Sequence, residues 1–95
     1  MDAMRMLKLI DKNGNDITAQ QAYDAAMSGP VYVSEVSGSE GNLSVEIFIA
    51  LDFTKVIREN ENIVSIMFVG IFEGASYIFY AGQNPNDIVG GGPKR

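Results

Sequence analysis

Leu43-Ser44-Val45-Glu46-Ile47-Phe48-Ile49-Ala50-Leu51-Asp52-Phe53 is the stretch on which the reading of the fold turns. Leu43, Val45, Ile47, Ile49, Leu51 and Phe53 alternate with Ser44, Glu46, Phe48, Ala50 and Asp52, and a period of two gathers the first set on one face of an extended strand. Six large apolar groups on that face predict that it is the core side. The alternation fails at Lys55, so a bulge or the strand end is expected near residues 52–55.

Downstream, Arg58-Glu59-Asn60-Glu61-Asn62 is a polar connection, followed by an apolar run over residues 63–73. In that run Ile63, Met67, Val69 and Ile71 point one way with Ser65, while Val64, Ile66, Phe68 and Phe72 point the other with Gly70. Both faces are apolar. Glu73-Gly74-Ala75-Ser76 forms the next turn, and Tyr77-Ile78-Phe79-Tyr80-Ala81 is again apolar on each side. Asn84-Pro85-Asn86-Asp87 is turn chemistry, and residues 90–95 read as a flexible Gly-rich tail.

Upstream, Val31-Tyr32-Val33-Ser34-Glu35-Val36 is rich in β-branched residues and is closed by a hairpin-length turn over residues 37–42. Before it lies the strongest local signal in the chain. Thr18 followed by Gln21 is a capping box, in which the hydroxyl accepts from the Gln21 amide and the Gln21 side chain reaches back to the Thr18 amide. Ile17 and Ala22 stand at the hydrophobic-staple positions. Gly29 suits a left-handed C-terminal cap and Pro30 cannot continue a helix. The helix is therefore expected over residues 19–28, with Ala19, Ala22, Tyr23, Ala26 and Met27 as its buried stripe. A first strand over residues 4–10 precedes it, ending in the turn formers Asp11-Lys12-Asn13-Gly14-Asn15-Asp16.

The fold class that follows is α+β: one short helix packed on a mostly antiparallel sheet of about five strands, in the order β-α-β-β-β-β, within a single domain over residues 1–89. Five strands at about 4.8 Å spacing span roughly 24 Å, against about 10–12 Å for a helix with its side chains. One helix cannot cover such a face. Either the sheet curls into a small barrel that hides one face, or the uncovered patch meets another subunit or protein. The strands with two apolar faces nominate Phe48, Val64, Ile66, Phe68, Phe72, Tyr77 and Phe79 as the candidate interface.

Composition excludes more than it selects. The chain has 95 residues, with 7 Lys plus Arg against 12 Asp plus Glu and a net charge of −5, which opposes nucleic acid as a partner. No Cys and no His are present, so thiol nucleophiles, imidazole bases and nearly all transition-metal sites are excluded, and no cofactor is expected. Residues 11–15 match the opening of an EF-hand loop, but Asp16 stands where glycine is needed and Ala22 where the bidentate glutamate belongs. That segment reads as a turn. Glu46, Asp52 and Glu73 have no positioning framework for glycosidase chemistry. The serines lack an imidazole, leaving only a formal Ser/Lys pairing, and no glycine cluster forms a phosphate loop. The tyrosines and phenylalanines read as core packing in preference to a base-stacking platform. The apolar run 63–72 is half the length of a membrane helix, and the opening residues form no secretory signal, so no membrane partner and a cytoplasmic or virion location are expected.

The capped helix Thr18-x-x-x-x-Tyr23-x-Ala25-x-x-x-Gly29, running into Val31-Tyr32-Val33 and on to Met67-Phe68-Val69-Gly70 and Tyr77-Ile78-Phe79-Tyr80, resembles small modules of tailed-phage accessory virion proteins of the head-fibre and decoration type. The resemblance covers residues 17–88 and implies a homo-oligomeric structural role, often trimeric, with no catalytic residues. The functional expectation is a non-enzymatic structural or interaction protein that assembles through an apolar β-sheet surface, with itself or another protein as partner. The alternative is a small acidic inhibitor or adaptor that blocks a host enzyme.

Overall fold

The computed structural model describes residues 4–39 and 41–90. The elements are β1 (Met4–Asp11), α1 (Ala19–Ala26), β2 (Val31–Ser39), β3 (Asn42–Glu59), β4 (Asn62–Phe72), β5 (Ala75–Ala81) and β6 (Ile88–Gly90). All six strands form one antiparallel sheet in sequential order. The strand count is thus six where about five were expected. The addition is β6, in which Gly90 pairs with Phe79 and so belongs to the sheet and not to a tail; residues 91–95 lie outside the described residues.

Local signals account for the connections. Thr18 caps α1, with its hydroxyl accepting from Gln21 N–H at 3.1 Å and Gln21 Oε1 accepting from Thr18 N–H at 2.9 Å. The helix ends two residues short of the expected boundary, and Gly29 does not take positive φ. Pro30 is the reason, since it pushes the residue before it toward extended backbone. The β3–β4 and β4–β5 loops are two-residue turns, Asn60-Glu61 (φ 52° and 71°) and Glu73-Gly74 (φ 52° and 83°). Positive φ at both positions gives the twist that a tight hairpin needs.

The face of β3 expected to be core is the exposed one. Phe48 and Ala50 are buried, whereas Leu43, Val45, Ile47, Ile49 and Leu51 keep 43–60% of their surface exposed. Phe48 lies opposite Val33 on β2, and its ring contacts Phe72, Tyr77 and Phe79 at centroid distances of 5.1–5.2 Å. Phe79 in turn stacks on Phe68 at 5.4 Å. Aromatic rings bury the largest area per residue, and the curl of the sheet closes around the face that carries them.

The expected irregularity in β3 decides the fate of Phe53. Leu51 pairs with Val69 and Lys55 with Met67, so the residues between them outnumber the single residue opposite, and Asp52 has φ 51°. That break in alternation turns Phe53 inward, where it stacks on Phe68 at 4.9 Å. A second bulge, at Val64, lets Ile63 join the core despite its odd position: Ser65 pairs with Ile57, Ile63 pairs with Arg58, and Val64 has no partner opposite.

The sheet curls far enough for its two ends to touch. Leu9 N–H donates to Pro85 O at 3.0 Å, and Arg5 Nη2 donates to Gly90 O at 2.6 Å. The result is a half-barrel. Helix α1 packs against β1, β2 and β4, burying Ala19 and Ala22, while Gln20 Oε1 accepts from Ile63 N–H at 3.0 Å. Tyr23 and Ala26 are half-buried and Met27 lies in the open. No helix among the described residues is long and apolar enough to cross a membrane.

Candidate protein interface

Curling hides the inner face and leaves the outer one presented. Cross-strand register lays the outer face down in rows. The first row is Met6, Val36 and Val45, and the second Lys8, Ser34 and Ile47. The third runs Ile10, Tyr32, Ile49, Ile71 and Ser76. Leu51, Val69 and Ile78 make the fourth, and Lys55, Met67, Tyr80 and Val89 the fifth. The rows hold two lysines at their margins, and one carboxylate borders them: Asp16, which bridges to Ile10 at the end of the third row and lies 3.5 Å from Lys8 Nζ. The other described acidic side chains stand elsewhere: at turns, on α1, at the Asp52 bulge, or inward at Glu35 and Glu46.

This patch is large for a lone subunit. Met6, Leu43, Val45, Ile47, Ile49, Leu51, Ile78, Tyr80 and Val89 are each about half exposed. At side-chain areas of this size they leave on the order of 700 Å² of mostly apolar surface, above the roughly 300–600 Å² of the largest patch on a typical monomer. Beside it lies a cleft of about 400 Å³, lined by Tyr23, Met27 and Pro30 on one side and Ile49, Leu51 and Phe53 on the other.

The residues nominated from sequence as the interface lie elsewhere. Phe48, Ile66, Phe68 and Phe79 are fully buried. Phe72 and Tyr77 pack on that core half-buried, and Val64 is half-buried at its bulge. The four buried residues hold the half-barrel together and are not presented to a partner. The outer-face residues were visible in sequence as the odd positions of 43–51, but their burial was read with the opposite sign.

Potentially chemical side chains are dispersed. Glu46 faces inward, Asp52 sits on the bulge and Glu73 in the β4–β5 turn, so the structure does not bring them together. Asp11 accepts the backbone N–H groups of Asn13 and Asn15, both at 2.9 Å, which holds its carboxyl below the usual aspartate range, the Asn15 bond first among the causes. The EF-hand-like segment is thus a side-chain-braced turn. No group of three or more acidic residues is placed to hold a metal ion among the described residues. Glu35 is the one buried charged residue there; its Oε2 accepts from Arg5 Nε at 2.6 Å, and its Oε1 has no hydrogen-bond partner. Because Arg5 also reaches Gly90 O, this pair ties β1, β2 and β6 together.

Comparison with protein families, characterised proteins and solved structures finds no match to this chain. The site therefore rests on its own geometry.

Proposed function

We propose that this chain is a non-enzymatic interaction protein, a subunit of a larger assembly that binds through the outer face of its sheet. The supporting observation is the apolar field across five cross-strand rows, bordered by a single carboxylate, Asp16, that is paired with Lys8, in a chain whose 12 acidic residues outnumber its 7 basic ones. Exposed patches of this kind mark interfaces, because leaving them wet forfeits about 25 cal/mol per Å² and invites aggregation. The dispersal of Glu46, Asp52 and Glu73, and the engagement of Asp11 within its own turn, support a role without catalysis. The likeness of residues 17–88 to accessory virion modules supports a structural setting, with a phage particle as the assembly.

The test is retention of a binding partner by the tagged chain in its native organism, with every retained protein, including untagged copies of this chain, identified by mass spectrometry. Ile49→Glu combined with Ile78→Glu is expected to abolish retention, and Glu61→Gln, on the β3–β4 turn, to leave it intact. Retention that survives the face variant refutes the proposal.

A further inference from the structure

The geometry points to a second copy of this chain as the occupant of the outer face: two half-barrels pack sheet to sheet about a two-fold axis, centred near Ile49, Leu51, Val69 and Ile78. This inference rests on the proposal that the face is an interface and names what covers it. Area is the first argument. On the order of 700 Å² of apolar surface per subunit is close to the roughly 800 Å² per partner of a stable standard-sized interface. Length agrees, since five rows at two residues per step extend about 27 Å along the strands, well within the 43 Å long axis of the molecule.

Charge is the second argument. Two copies at −5 each repel, yet the carboxylate at the margin of the rows, Asp16, is paired with Lys8, and the other acidic turns stay at the wet rim when the faces meet. A polyanionic partner such as nucleic acid or an acidic lipid surface meets that same acidic rim and is repelled. The branched aliphatics of a twisted sheet also suit a like face, because two sheets pack about 10 Å apart with strands within about 30° and their side chains interdigitate. An isologous contact needs one self-complementary patch, and a uniformly aliphatic field satisfies that requirement.

The test uses the purified full chain alone. Light scattering and sedimentation from low micromolar to near-millimolar concentration should show the mass rising from 10.3 kDa to about twice that value. Ile49→Glu, and separately Ile78→Glu, should each weaken association about a hundredfold or more, since each places an unpaired charge at the apolar centre. Glu61→Gln should leave it unchanged, and circular dichroism should show all three folded. The chain contains no cysteine, so single variants at Val45, Ile49 and Ile78 supply a second readout. At least one of them, nearest the axis, should form a disulfide-linked dimer faster than Glu61→Cys does. A mass that stays at one subunit throughout overturns the inference, as does a stable mass of three or more subunits or cross-linking no faster on the face than at Glu61. If the chain alone is monomeric while face-dependent retention of a different protein persists, only the second-copy inference falls; if face dependence is lost in both experiments, the proposed function falls with it.

Discussion

Gly70→Ala is expected to cost about 2–3 kcal/mol, although it replaces glycine by a residue that ordinarily steadies a strand. Gly70 lies on the inner face of β4, between Ala50 on β3 and Tyr77 on β5. A methyl group there would overlap the Phe79 ring edge at Cε2, stand 2.9 Å from its Cδ2 and lie 3.3 Å from Phe48 Cβ. The ring cannot swing aside freely. Phe68 stacks on it at 5.4 Å with planes 16° apart, and Phe48 meets it edge-on at 5.1 Å. Over-packing a filled core costs roughly 1–3 kcal/mol, and the stiffer unfolded chain returns about 0.4–1 kcal/mol; fixation of Phe79 on two sides places the net near the upper end. For a domain of this size each kcal/mol moves Tm by about 4–8 °C, so the variant should melt about 10–20 °C lower. The double variant Gly70→Ala with Phe79→Leu should be less destabilised than the sum of its parts by at least about 1 kcal/mol, because the shortened side chain vacates the space the methyl needs. Urea unfolding followed by circular dichroism measures both. A neutral or stabilising Gly70→Ala, or strict additivity in the cycle, refutes the account of a core packed against the Gly70 backbone.

Thr18→Ala removes the cap hydroxyl and should cost about 1 kcal/mol in the same assay; an unchanged midpoint would mean that α1 is held by its Ala19 and Ala22 contacts alone. Arg5→Met leaves the Glu35 carboxylate buried without its counter-charge and should cost about 2–4 kcal/mol, less than a fully buried pair because the Arg5 side chain is 36% exposed. Adding Glu35→Leu should recover most of that loss, and failure to recover it would show that the damage comes from the Arg5 contact with Gly90. For Asp11, the folded-state pKa lies below its unfolded value near 3.8, so its braced turn adds stability above that value and loses it as pH falls through the lowered one. An NMR titration should find the Asp11 carboxyl titrating below its unfolded-state value, and a midpoint at or above that value contradicts the bracing by Asn13 and Asn15.

What this protein can bind depends on which face of its one sheet is wet. Had the Leu43, Val45, Ile47, Ile49 and Leu51 side chains turned inward, the exterior would instead carry Leu9, Val33, Phe48, Phe68 and Phe79 with the Glu35 and Glu46 carboxylates among them, a different surface for a different partner. Their outward position converts an ordinary strand pattern into a surface feature, and it does so because the aromatic side of β3, β4 and β5 claims the interior.

What the sequence alone determined was local: the capped helix, the polar connection around Asn60-Glu61, the turn at Glu73-Gly74, a break in alternation between Asp52 and Lys55, and a mostly antiparallel sheet. Each depends on residues within a few positions of one another, where capping hydrogen bonds, positive φ and broken alternation act directly. The exclusion of thiol and imidazole chemistry was equally legible, since it requires only that the residue types be absent. The tertiary structure decided which side of the strands is inside. Alternation divides a strand into two faces but carries no sign, and here both faces are apolar, so the choice between Phe48 and Ile49 falls to the direction in which six strands curl. The same curl made a strand of Ile88-Val89-Gly90, three residues too short to register as a pattern, because only Phe79, Tyr80 and Ala81 on the neighbouring strand and Arg5 from the far edge give them partners.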